Sequence, residues 1–153
     1  MKRRKIFTLL LALLMFLAGC AQGLNADKPQ IPTKAELATK YGVDEAVIDG
    51  YHSVYPKIEN NATVDNDFAT DSVIIIVYPF ANSYPFTPED FQEVGCTAVN
   101  KLMGPYENKE KPTRFLLLTL DTESKQEIID AIEILQERAD IYCAEPDYVM
   151  TIS

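Results

Sequence analysis

The chain has 153 residues, a formal charge of −9 and an apolar fraction of 47%, enough for one compact domain with its own core and hardly enough for two. Its 23 acidic side chains against 14 basic ones argue against nucleic acid, whose phosphates require a basic stripe, and against charge-driven docking on anionic lipid. One histidine, His52, and three cysteines without metal-site spacing give little support to a metal centre or a Ser-His-Asp triad, so the chain reads as non-enzymatic and without a cofactor.

The first element is a targeting segment. Met1-Lys2-Arg3-Arg4-Lys5 is a compact positive cluster, and the apolar run 6–16 behind it is too short for a retained membrane span. Leu17-Ala18-Gly19-Cys20 resembles the bacterial lipobox. That resemblance implies cleavage after residue 19, a lipid on the Cys20 thiol, and a mature protein held on the outer side of the cell membrane by several acyl chains. Loss of Lys2, Arg3, Arg4 and Lys5 would lower the formal charge from −9 to −13, leaving 23 acidic against 10 basic residues. Residues 20–33, polar and carrying Pro29 and Pro32, read as a tether.

Residues 34–70 read as a helical segment and a loop. Thr33 and Glu36 have capping-box spacing for a helix over 34–40, and a second short helix over 44–51 follows Gly42. This segment faintly has the pattern of a helix-turn-helix, but its acidity rules out DNA binding and leaves a plain helical hairpin. His52, beside Tyr51, reads as a packing residue. Residues 60–71 are polar and read as a loop.

From residue 71 the periodicity sharpens. The β-branched run Val73-Ile74-Ile75-Ile76-Val77-Tyr78 predicts a strand over 71–80, apolar on both faces. Thr87-Pro88-Glu89-Asp90 starts a short helix to residue 94, 97–103 is a weaker strand, and Gly104-Pro105 with the charged 107–111 makes a turn. Phe115-Leu116-Leu117-Leu118-Thr119-Leu120 predicts a strand over 114–121. Ser124 and Glu127 form a capping box for a helix whose Ile128, Ala131, Ile132 and Leu135 share one stripe. A last strand covers 141–152, interrupted at Pro146.

Strand, helix, strand, strand, helix, strand is the order of a ferredoxin-like βαββαβ sandwich, an α+β fold with a four-stranded antiparallel sheet, here over 71–153. It places the first and third strands centrally and both helices on one face. The other face, fed by the same two apolar strands, needs a cover: the segment 34–60, a second copy in a homodimer, or another protein. Cys96 and Cys143 would lie on opposite edge strands, beyond disulfide reach, as packed free thiols.

The run Asp140-Ile141-Tyr142-Cys143-Ala144-Glu145-Pro146-Asp147-Tyr148 resembles the closing motif of subtilisin-type serine protease propeptides, with Asp147 in place of their usual Asn. The resemblance spans residues 71–150, and no catalytic domain follows within the sequence given. It implies a propeptide-like module similar to stand-alone inhibitors, whose open sheet face packs on two protease helices. Glu145 or Asp147 would then cap those helices. The tail Tyr148-Val149-Met150-Thr151-Ile152 would add as a strand along a substrate cleft. A structural lipoprotein that dimerises or binds an unrelated protein through the same face is the alternative, in which Glu145 and Asp147 are solvated edge-strand charges.

Overall fold

The computed structural model describes residues 30–102 and 114–148. The signal peptide, Cys20, most of the tether, the turn at 104–111 and the tail 149–153 lie outside the described residues.

Two helices come first, α1 (Lys34–Tyr41) and α2 (Glu45–Val54). The Thr33 N–H donates to the Glu36 carboxylate at 2.7 Å and the Glu36 N–H to Thr33 Oγ1 at 3.3 Å, the reciprocal box expected at the start of α1. Gly42 ends α1 at φ 66°, a left-handed conformation that costs glycine nothing. α2 runs three residues beyond the expected end. Its Ile48 is fully buried against Leu37 and Ala38 of α1.

Four strands follow: β1 (Phe68–Val77), β2 (Cys96–Leu102), β3 (Arg114–Leu120) and β4 (Ile141–Tyr148). They form one antiparallel sheet in the order β2-β3-β1-β4, an α+β architecture with the first and third strands central. β1 begins three residues before the expected start at residue 71, because Phe68 pairs with Tyr148 and buries its ring. It stops at Val77, where Pro79 supplies no N–H and opens a 3-10 turn over Pro79–Ala81.

The segment Pro88–Val94 is 3-10 helix rather than α-helix. Phe91 leaves helical dihedrals (φ −134°, ψ 34°) and its ring is fully buried in the core, which outweighs the regularity of a two-turn helix. Helix α3 (Lys125–Glu137) buries the expected stripe of Ile128, Ala131, Ile132 and Leu135. Its expected capping box does not form: the Glu127 carboxylate accepts from the Thr122 hydroxyl, and Thr122 Oγ1 accepts from the Ser124 N–H at 3.1 Å. Thr122 lies two residues before the cap and competes for the same carboxylate.

The main core lies between α3, Phe91 and one face of the sheet, where Val73, Ile75 and Val77 of β1 meet Leu116, Leu118 and Leu120 of β3. Each such side chain contributes about 1.5–3 kcal/mol of transfer free energy. The α1–α2 pair joins one end of this sandwich. Its apolar contacts are with Phe80 and Ala139, and its polar contacts centre on Arg138, which is 0% exposed. Arg138 Nε and Nη2 donate to Asp140 at 3.0 and 2.9 Å, and Nη1 donates to the Asp90 carbonyl at 2.6 Å and to the Glu93 carboxylate. From α1, the Tyr41 hydroxyl donates to Asp140 and Lys40 Nζ to Asp90 at 2.7 Å. Burial by itself pushes the Asp140 carboxyl up, but the Arg138 guanidinium overcomes that and holds it below the usual carboxylate range.

Candidate protein-binding face

Side chains alternate along a strand, so the face turned away from α3 is fixed by the register that fills the core. On β1 it carries Ser72, Ile74 and Ile76; on β3, Phe115, Leu117 and Thr119; on β4, Cys143, Glu145 and Asp147. Ile74 stands opposite Leu117 on one side and Glu145 on the other, and Ile76 opposite Phe115 and Cys143. Ile74, Ile76, Phe115 and Leu117 are half-buried and belong to neither apolar core. The result is an apolar platform two strands wide with a row of carboxylates along one margin. Such a surface suits a protein partner that brings apolar side chains to the centre and hydrogen-bond donors to the edge.

The helices α1 and α2 do not provide the cover considered for this face; they pack at the end of the sandwich, against Phe80 and Ala139. α2 instead has a surface groove of about 430 Å³ on its outer side, lined by Val47, Gly50, Tyr51, Val54 and Tyr55.

Of the residues singled out in the sequence, Glu145 and Asp147 lie on this face, two positions apart on β4, and Asp147 accepts a hydrogen bond from Ser72 Oγ at 3.2 Å. Tyr148 closes β4, 47% exposed, its ring edge-on to Phe68. Val149, Met150, Thr151, Ile152 and Cys20 are outside the described residues. Cys96 and Cys143 are free thiols on the two outer strands, and burial pushes both up to about 11, which leaves little thiolate at neutral pH. His52 packs as expected: its Nε2 lies 2.8 Å from the Ala139 carbonyl and its ring 4.7 Å from that of Tyr78. Among the described residues no group of three or more His, Cys, Asp or Glu is placed to hold a metal ion, and no helix is long and apolar enough to cross a membrane.

Two features of the site escaped the sequence. Arg138 and Asp140 follow a helix end, where charges normally read as solvated, yet both are fully buried. Ile58, a lone apolar residue between Lys57 and Glu59, has no periodic neighbours, yet it forms a parallel bridge with Cys143. No family model, curated protein or solved structure matches the chain.

Proposed function

We propose that this chain is a membrane-tethered, non-enzymatic protein-binding domain built as a ferredoxin-like sandwich. Its lipid at Cys20 holds it on the outer side of the cell membrane, where it inhibits or assists the folding of a subtilisin-type serine protease. The observation that carries the reading is the juxtaposition of Ile74, Ile76, Phe115 and Leu117 with Glu145 and Asp147 on one sheet face. Helices docked on that platform would bury the four apolar side chains and present unpaired N-terminal amides to the carboxylates. The last strand ends at Tyr148, at the margin of the sheet, and the residues after it would extend into a cleft through main-chain hydrogen bonds.

The test mixes the mature domain with purified subtilisin-type proteases and follows peptide hydrolysis. Inhibition that weakens sharply on deletion of residues 149–153 supports the reading; no inhibition together with rapid digestion of the domain rejects it. The alternative is a structural lipoprotein, for which the same apolar platform, centred on β1 and β3, suits a second copy equally. A dimer detected by light scattering, and abolished by Leu117→Asp, would favour it.

A further inference from the structure

The open face does not end at β4. Residues 55–58 run beside that strand and are pinned at three points. The Tyr55 carbonyl accepts from the Tyr78 hydroxyl at 2.7 Å, Lys57 Nζ donates to the Gln136 and Arg138 carbonyls at 2.5 Å each, and the Ile58 N–H donates to the Tyr142 carbonyl at 3.1 Å. Two independent observations give the direction of Ile58. Partners in a parallel bridge project to the same side, and the partner of Ile58 is Cys143, which stands on the open face opposite Ile76. Lys57 reaches the carbonyls at the end of α3, in the helix layer, so its neighbour in an extended segment projects the other way. Ile58 is 48% exposed while Cys143 beneath this margin is 6% exposed.

We infer that Ile58 is part of the partner-binding face, a fifth row that the N-terminal segment adds along β4, and that a bound protease covers it. This rests on the protease reading above and names a contact outside the propeptide-like region. The row continues the apolar platform past the carboxylates: Ile76, Cys143 and Ile58 lie side by side across three backbones, with Glu145 and Asp147 further along the same strand. A partner helix whose N-terminus meets those carboxylates and whose flank runs along β4 toward Cys143 would reach Ile58. The bridge also occupies part of the outer edge of β4, which directs partners to the face rather than to strand addition there.

The experiment measures inhibition of a subtilisin-type protease by the mature domain carrying Ile58→Asp, Ile74→Asp or Val47→Asp. Val47 is 40% exposed on α2, and α2 makes no bridge to the sheet. The expected result is a loss of about tenfold or more for Ile58→Asp and for Ile74→Asp, as for a contact taken from water into an interface, with Val47→Asp unchanged. Maleimide labelling of an Ile58→Cys variant should likewise slow on adding the protease. If Ile74→Asp weakens inhibition while Ile58→Asp does not, or if Ile58→Cys labels equally fast in the complex, the inference is overturned and the protease reading stands. If Val47→Asp loses as much as Ile58→Asp, the partner sits on α2 and the inference is again overturned. If the unmodified domain does not inhibit at all, both fall.

Discussion

Arg138→Met removes the guanidinium that joins α1, the 3-10 segment and the start of β4, and keeps most of the aliphatic stem. The side chains of Asp140 and Glu93, 0% and 5% exposed, are then left buried without their cation. Breaking a buried pair in this way costs about 3–5 kcal/mol, a large share of the roughly 5–15 kcal/mol by which a domain of this size is stable. At a urea m-value near 2 kcal/mol/M the midpoint should fall by about 2 M. The pH dependence adds a second signature. In the parent protein Asp140 is held below the usual carboxylate range, so its contribution is complete above the unfolded value of about 3.9 and is lost as pH falls below it. In the variant, burial is the largest influence on Asp140, opposed only by the Tyr41 hydroxyl and Lys40, and it should lift the folded carboxyl above its unfolded value. The folded variant then takes up a proton more readily than the unfolded chain, and its stability rises as pH falls from neutral. The gap between the two proteins should therefore narrow between pH 7 and pH 5. Urea melts followed by tyrosine fluorescence at both pH values provide the assay. A midpoint shift under about 0.5 M at pH 7, or an equal gap at both pH values, refutes the account of this network.

Leu118→Ala, in the core, should cost about 2–5 kcal/mol, whereas Leu117→Ala, on the open face, should cost only about 1 kcal/mol; thermal melts of the two variants separate the faces directly. Gly95 closes the 3-10 segment at φ 66°, and a methyl group there would meet no atom within 4 Å beyond its chain neighbours, so Gly95→Ala should lose about 1 kcal/mol through backbone strain, measured by urea melt. Because burial lifts both thiols to about 11, alkylation of Cys96 and Cys143 at pH 8 should be slow in the folded domain and become fast in denaturant, read by mass spectrometry; fast labelling of folded protein would contradict their placement.

Local rules settle much of this molecule from the chain alone. Thr33 and Glu36 set the start of α1, the β-branched run at 73–77 and the leucines at 116–118 set the central strands, and the spacing of Ile128, Ala131, Ile132 and Leu135 sets the buried stripe of α3. Each is decided by neighbours within a turn or a pleat, which is the range over which periodicity and capping act. The unbroken apolar runs of β1 and β3 likewise require an apolar second face. Three-dimensional packing decided the rest. The helix expected at 88–94 became 3-10 because the Phe91 ring had a core to fill. Arg138 and Asp140 became buried because Tyr41, nearly a hundred residues earlier, closes over them. Ile58 joined the sheet face because Lys57 found free carbonyls at the end of α3. Such contacts join residues far apart in sequence, and no local pattern encodes which helix end or strand edge a polar segment will meet.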